Sequence, residues 1–325
     1  MIIMVNVVIE KNDAGQRLDR FMKKYLRRAP LSMIYKMIRK DVKVNGRRAK
    51  EDSLLNEGDE VTLYISDEKI TELSAPAENR IGCRKQFRTA YEDDNIIAVV
   101  KPKGLLTHGD SREKKNTLVN QVCGYLQGKG EYDPSVEKTF SPAPVNRLDR
   151  NTTGLILFGK NAESLRLLTA AIRNNVHVRK YYRTIVAGMF DKEIIIRSGL
   201  LKNEDRNTVK VTDEDGAKTA VTIVRPVTVK NGFSLVEIEL ITGRTHQIRV
   251  HLSEKGFPLI GDPKYGDPEI NRRMNKQFRL STQLLHAYKL EFSDMPGLLS
   301  YLDGKVITAA PPPDFRRIQE NLFGR

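Results

Sequence analysis

Asn146-Arg147-Leu148-Asp149-Arg150-Asn151-Thr152-Thr153-Gly154-Leu155-Ile156-Leu157-Phe158 is a polar turn that runs into an apolar strand. Turn-favouring polar side chains and a glycine place Asp149 on a loop, where a rigid scaffold commonly holds a functional group. The tripeptide Arg-Leu-Asp recurs at Arg17-Leu18-Asp19, but there Leu18 falls in a helical apolar stripe and Asp19 points outward. The setting, not the tripeptide, marks Asp149 as the candidate.

Two further stretches bear on it. Ile241-Thr242-Gly243-Arg244-Thr245-His246-Gln247-Ile248-Arg249-Val250-His251-Leu252 ends a buried strand, turns at Gly243 and opens a basic helix. An arginine at such a strand end, Arg244, can pair with a loop carboxylate; a purely structural ion pair is the alternative. In Arg179-Lys180-Tyr181-Tyr182-Arg183, strand alternation puts the two rings on opposite faces, one toward the core and one toward a site or solvent.

Strands are expected at 96–100, 155–158, 181–186, 221–224 and 234–240. Helices are expected at 117–126, 162–174 and 245–252, with a terminal helix after Pro311-Pro312-Pro313. Residues 66–88 lack sustained apolar periodicity and read as a linker. No internal repeat is visible.

The amino end has its own character. Between Lys11 and Lys50 lie fourteen basic and three acidic residues, a net +11 out of +14 for the whole chain. A block so polarised is a footprint for a polyanion, nucleic acid first. Leu18, Phe21, Met22, Tyr25 and Leu26 form one helical stripe. Pro30 closes that helix, and Ser32 is the expected cap of a second, with Ile34, Met37 and Ile38 inward. Val42-Lys43-Val44-Asn45-Gly46 and the segment Val61 to Ile65 then form a hairpin.

Several function classes are excluded. The longest uncharged run, Asn116 to Gly128, has thirteen residues, too short for a spanning helix. The opening MIIMVNVVIE lacks a positive n-region and meets Glu10 early, so a cytoplasmic protein is expected. Cys83 and Cys123 cannot build a disulfide framework or a four-ligand zinc site. His108, His177, His246, His251 and His286 show no metal-ligand spacing and read as hydrogen-bonded core or turn residues. No phosphate loop or dinucleotide motif occurs, so any reaction is expected to run with no cofactor and no metal.

The amino-terminal order of helix, helix and hairpin resembles the RNA-binding module of ribosomal protein S four, the αL motif. The resemblance rests on Gln16-Arg17-Leu18-Asp19-Arg20-Phe21, Ser32, Val42-Lys43-Val44-Asn45-Gly46 and Glu57-Gly58-Asp59-Glu60-Val61. It implies structured RNA as partner, with Arg17, Lys36, Arg39, Lys43 and Arg47 as candidate contacts. The rest of the chain resembles the RluA-type family of RNA pseudouridine synthases. The matching pieces are Val100-Lys101-Pro102-Lys103-Gly104-Leu105 through His108, Arg147-Leu148-Asp149 with Thr152-Thr153-Gly154-Leu155, and Lys180-Tyr181-Tyr182. The segment Thr242 to Leu252 and Gly261-Asp262-Pro263-Lys264-Tyr265-Gly266 complete the match, and Asn146 stands where many members have His.

That resemblance implies an α+β protein with a mixed, mostly antiparallel sheet flanked by helices. An RNA-binding module would span residues 1–70, a linker 71–88 and a catalytic domain 89–325. The implied reaction turns uridine into pseudouridine on a flipped-out nucleotide. Asp149 would be the catalytic carboxylate; attack on carbon and removal of a sugar proton are both compatible with it. Arg244 would pair with Asp149. Tyr182 would stack on the uracil and relay the proton leaving C5, Arg147 would fill the gap left in the RNA, and Ile248 and Leu252 would line or support the site. Large-subunit (23S) ribosomal RNA is the first expected substrate and transfer RNA the second, with the protein a monomer away from membranes. The competing reading is a non-catalytic RNA-binding or ribosome-assembly factor.

Overall fold

In the computed structural model, which describes residues 4–74, 84–173, 176–203 and 207–324, the chain begins with strand β1 (Val5–Val8). Helices α1 (Leu18–Tyr25) and α2 (Leu31–Lys40), strands β2 (Val42–Val44) and β3 (Glu60–Leu63), and helix α3 (Asp67–Leu73) follow. The stripe read from the sequence is the buried one. Leu18, Phe21, Met22 and Leu26 pack with Ile34, Met37, Ile38, Val61 and Leu63 into one core. The strands pair antiparallel in the order β1-β3-β2. Each large side chain so buried contributes roughly 1.5–3 kcal/mol.

Two local expectations are corrected. Helix α2 starts at Leu31 after Pro30, so Ser32 sits inside its first turn and not at its cap. The stretch from Ser66 opens as a helix, because Ser66 Oγ caps Lys69 N–H and acids occupy the first turn of α3. Ile70 and Leu73 then join the module's core. Residues 75–83 of the expected linker lie outside the described residues.

The chain divides into two compact units. One holds Met1–Lys85, Asn120–Ala143 and Gly159–Leu165; the other holds Gln86–Val119, Pro144–Phe158 and Arg166–Arg325. The remaining elements are β4 (Arg88–Glu92), β5 (Ile96–Lys101), α4 (Leu118–Gly128), β6 (Ala143–Pro144), β7 (Thr153–Gly159), α5 (Ala162–Arg173), β8 (Val178–Ala187) and β9 (Ile194–Asn203). After them come β10 (Thr208–Val211), β11 (Lys218–Lys230), β12 (Phe233–Leu240), α6 (Gln247–Glu254), α7 (Pro268–Phe278), β13 (Leu285–Phe292), β14 (Val306–Thr308) and α8 (Pro313–Phe323).

An eleven-stranded sheet among the described residues runs β10-β9-β11-β12-β8-β13-β7-β5-β4, with β14 on β13 and β6 on β7. The protein is α+β, with a mixed, mostly antiparallel sheet flanked by helices. The pairing of β13 with β7 is parallel, while β8 pairs antiparallel with both β12 and β13. Gly154 makes the β7–β13 approach possible: a Cβ there, at φ +117°, would stand 2.1 Å from the Ala287 carbonyl oxygen. Among the described residues no helix is long and apolar enough to cross a membrane.

Candidate active site

The loop before β7 is fastened on both sides of Asp149. Asn146 acts as an extra strand residue, donating to the Leu155 carbonyl at 3.2 Å and accepting from Leu157 N–H at 2.9 Å. Thr107 Oγ1 bonds both backbone groups of Leu148, at 3.1 and 3.3 Å. The Arg150 carbonyl accepts from Gly104 N–H at 3.0 Å and from Lys101 Nζ at 2.8 Å.

Lys101 is wholly buried at the end of β5 and also donates to the Pro102 and Leu105 carbonyls. Three carbonyls match the three N–H donors of an ammonium group. Burial pushes this ammonium down to about 7, against the upward pull of the Asp149 charge. Lys101, Thr107 and Gly104 thus fix the backbone at Leu148 and Arg150, while the Asp149 side chain stays 26% exposed to the cleft.

The partner of Asp149 is Arg249 and not Arg244. Arg249 Nη1 lies 3.0 Å from Asp149 Oδ2, while its Nε and Nη2 grip Asp262 at 2.7 and 2.8 Å. The Asp262 side chain is fully buried and also accepts from Lys264 and Tyr265 N–H. Burial opposes both charges here, and the pairing outweighs it. Asp262 is held below, and the Arg249 guanidinium above, its ordinary value. A bidentate grip leaves the guanidinium little rotational freedom, so Asp262 aims Arg249 and Arg249 aims Asp149. Among the described residues Asp149 Oδ1 accepts no hydrogen bond.

The turn before α6 decides which arginine points inward. His246 takes the left-handed conformation at φ +52°, so the helix starts at Gln247 and not at Thr245. Gln247 staples this turn, accepting from Thr242 Oγ1 and Arg244 N–H and donating to the Val221 carbonyl and Thr222 Oγ1. Arg244 is left exposed, its Nε donating to the Thr219 carbonyl at 3.2 Å. It lines the Asp149 cleft and also a neighbouring one with Lys202 and Lys218. The expectation that Arg244 would pair with Asp149 is therefore corrected: five residues on, Arg249 faces the carboxylate.

Tyr182, Arg147, His246 and Ile248 share the cleft with Asp149. Tyr182 is 4% exposed, and burial, with the Asp149 charge second, pushes its phenol well above the ordinary value. The phenol is therefore protonated at pH 7. Tyr181 faces away, beneath Lys289 Nζ at 4.0 Å from its ring centre. Leu252 is fully buried and does not line this cleft.

His246 was not anticipated as a site residue. Its Nε2 lies 3.8 Å from Asp149 Oδ2, and its Nδ1 meets the Tyr265 hydroxyl at 2.9 Å. Burial pushes its imidazole down to about 4, so it is neutral at pH 7 and does not compete with Arg249 for the carboxylate. Arg249, Asp262 and Tyr265 also went unassigned, although all lie in segments already singled out. Of the sequence-chosen residues, Asp149, Tyr182, Arg147 and Arg244 line one cleft.

Comparison with known proteins gives the family. Residues 95–254 match the family described as RNA pseudouridylate synthase. Ribosomal large subunit pseudouridine synthase C of Escherichia coli is 33% identical over 317 residues, 95% of this chain and 92% of that protein. The protein of the same name from Vibrio cholerae is 31% identical over 296 residues, 87% of each chain. An uncharacterized RNA pseudouridine synthase of Mycoplasma capricolum is 32% identical over 322 residues, 95% of this chain and 98% of that one. A human RNA pseudouridylate synthase domain containing protein, number 4, has the same fold, with a TM-score of 0.53 at 22% identity over 70% of this chain and 90% of that one. The chain belongs to the RNA pseudouridylate synthase family. It is thus an isomerase that acts on uridine in RNA.

Proposed function

We propose that this chain makes pseudouridine in large-subunit (23S) ribosomal RNA, with Asp149 as the reacting carboxylate. The observation that carries the assignment is the setting of Asp149: a loop clamped on both flanks, one oxygen held by Arg249, the other open to the cleft. The substrate class is supported by the large-subunit names of the Escherichia coli and Vibrio cholerae relatives.

The reaction breaks C1′–N1, turns the uracil and forms C1′–C5. The hydrogen leaving C5 is balanced by one gained at N1, so no electrons or groups are lost. One carboxylate beside the sugar is enough to start it. Arg249 holds that carboxylate in a fixed direction, and the Tyr182 ring packs against the base. The uridine must leave its stack, at a cost of a few kcal/mol, and the exposed side chain of Arg147 fills the gap. Residues 1–70 serve as the RNA-binding module, with Arg17, Lys36, Arg39, Lys43 and Arg47 as contacts. The stretch after α3, as far as residue 88, links it to a catalytic domain over 89–325. The enzyme acts as a monomer in the cytoplasm.

Carbodiimide primer-extension mapping of total RNA, from cells with and without the gene, tests the reading. Loss of stops from large-subunit RNA is the expected result. Loss confined to transfer RNA overturns the substrate. No change in cells, followed by no product from purified protein on unmodified transcripts, overturns the assignment to Asp149 chemistry.

A further inference from the structure

One ring nitrogen in the Asp149 cleft is aimed at the carboxylate without reaching it. His246 Nε2 stands 3.8 Å from Asp149 Oδ2, beyond hydrogen-bond range, and has no other hydrogen-bond partner among the described residues. The His246 side chain is only 7% exposed, yet it lines the cleft beside Asp149 and Tyr182.

The far side of the ring decides whether Nε2 carries a proton. Val209 N–H, on β10, donates to the Tyr265 hydroxyl oxygen at 2.7 Å, and a backbone N–H can only donate. The same hydroxyl lies 2.9 Å from His246 Nδ1. Burial keeps the imidazole neutral, so one ring nitrogen bears a proton and the other accepts. If Tyr265 donates to Nδ1, its phenol gives one bond and accepts one, and the ring proton sits on Nε2. The reverse tautomer leaves the phenol proton without an acceptor among the described residues and turns the Nε2 lone pair toward a carboxylate oxygen. Both counts select Nε2–H. Tyr265 is itself held in place. Its N–H donates to Asp262 at 3.2 Å, its carbonyl accepts from Ser253 Oγ at 2.8 Å, and the Arg249 guanidinium lies 5.1 Å above its ring centre. All these residues belong to the second compact unit.

A donor on one side of a gap and a carboxylate on the other call for a group that both accepts and donates. A hydroxyl oxygen does both, at roughly 2.7–3.0 Å from each side. In an internal uridine the 5′ and 3′ oxygens are esterified, which leaves the 2′-hydroxyl. It stands on C2′, next to the carbon whose bond to N1 breaks, where a carboxylate working on the sugar must be. The N3–H and carbonyl edge of uracil also gives and accepts, but the base has to turn during the reaction while the ribose stays.

We propose that His246 Nε2–H donates to the 2′-hydroxyl of the target ribose, which donates in turn to Asp149, and that Tyr265 is the positioning residue that sets the tautomer. The pair thereby distinguishes RNA from DNA at the target nucleotide. The inference rests on the reading of Asp149 as the reacting carboxylate.

The test uses full-length protein. Long-range nitrogen–proton NMR spectra, with the His246 signals assigned by their loss in His246→Asn, read the tautomer without any turnover. Protonated Nε2 and bare Nδ1 are expected, with mixed tautomers in Tyr265→Phe; protonated Nδ1 in the wild type overturns the proposal. Single-turnover rates are then compared on large-subunit transcripts carrying uridine or 2′-deoxyuridine at the modified position. Asparagine tolerates the left-handed backbone of His246 and is too short to reach the gap. On uridine His246→Asn should be slower by about 10-fold, the loss of one hydrogen bond. On 2′-deoxyuridine, where the bridge is already missing, its rate should lie within about 2-fold of the wild type. An equal loss on both transcripts means that His246 only shapes the site or meets the base edge, and overturns the bridge. If the expected tautomer is found but the wild type makes no product on either transcript, the Asp149 reading falls and takes this inference with it.

Discussion

The N-terminal module and the Asp149 site carry positive charge in opposite ways. In the module Arg20 and Lys23 on α1, Arg27 just after it, and Lys36 and Arg39 on α2 stand exposed above a core that holds only apolar side chains from those helices. Around Asp149 the central cation, Arg249, has a side chain 5% exposed and is shared by two carboxylates. Exposed charge is available to a partner and nearly neutral for folding. Buried charge is committed: its geometry is fixed by its partners, and removing one member strands the other. The first arrangement suits a surface that must grip a backbone anywhere along it. The second suits a reaction that needs one oxygen in one place.

The largest expected effect tests the committed side. Asp149→Asn removes the reacting charge but keeps the shape, and product formation should fall at least about 1,000-fold while RNA affinity stays near wild type. Single-turnover assays and filter binding on one transcript measure both. Turnover above one-thousandth would remove Asp149 from its role. Asp19→Asn, in the same tripeptide on α1, should stay active, since its carboxylate pairs only locally with Arg17 at 2.9 Å.

Arg249 comes next because its loss acts on both stability and reaction. Arg249→Met leaves Asp262 buried without its bidentate partner, which costs about 3–5 kcal/mol, and frees Asp149 to rotate. Urea denaturation should show the loss, and Arg249→Met/Asp262→Leu should recover much of the stability but none of the activity. Arg244→Gln should leave stability within ~0.5 kcal/mol, because its side chain is exposed and donates to no carboxylate among the described residues. Equal stability losses for Arg244→Gln and Arg249→Met would erase the distinction between them.

This contrast also explains what was legible in the sequence. Local features were: the stripe Leu18, Phe21, Met22 and Leu26, the loop setting of Asp149, and the alternation that turns Tyr181 and Tyr182 apart. Each follows from helix or strand period within a few residues. The choice between Arg244 and Arg249 was not local. It depends on the left-handed backbone at His246, on the Gln247 staple, and on Asp262 thirteen residues beyond Arg249. Strands β9 and β13 escaped for a related reason. β13 is defined by partners on both sides, β7 and β8, more than a hundred residues away, and the sequence of β9 alternates poorly. Helix α3 did carry a signal, Ser66 followed by two acids, but only Ile70 and Leu73 mark its apolar face.

Buried neutral groups give a smaller, graded effect. Burial is the leading cause that pushes His246, His251 and His286 each down to about 4. His251 sits between Thr222 and Ser198, and His286 between Thr153 and the Ala309 carbonyl. Unfolded, each would titrate near 6.5. Between pH 6.5 and 4 these rings bind more protons in the unfolded chain than in the folded one, so their contribution to stability is full above 6.5 and declines as pH falls through that window. Unfolding free energies from urea titrations at pH 7, 6, 5 and 4.5 should fall steadily, by several kcal/mol in total, at about 1.4 kcal/mol per ring per pH unit. A flat profile down to pH 4.5 would show that these rings are not held neutral by the fold.

The smallest effect on stability belongs to the exposed cations, and it completes the comparison. Lys36→Gln/Arg39→Gln removes two charges from the outer face of α2, where neither forms an ion pair among the described residues. Glutamine keeps helix propensity close to that of Lys and Arg, so unfolding free energy should change by less than ~0.5 kcal/mol. RNA binding should respond in a different currency: if both side chains meet phosphates, two fewer counterions are released, and the salt slope falls by about 1.4–1.8. Thermal melts and salt titrations on the same preparation separate the two. A stability loss comparable to that of Arg249→Met would mean that the module's charge, like that of the site, is built into its fold. An unchanged slope would mean that α2 turns its cations to solvent and the polyanion is gripped elsewhere.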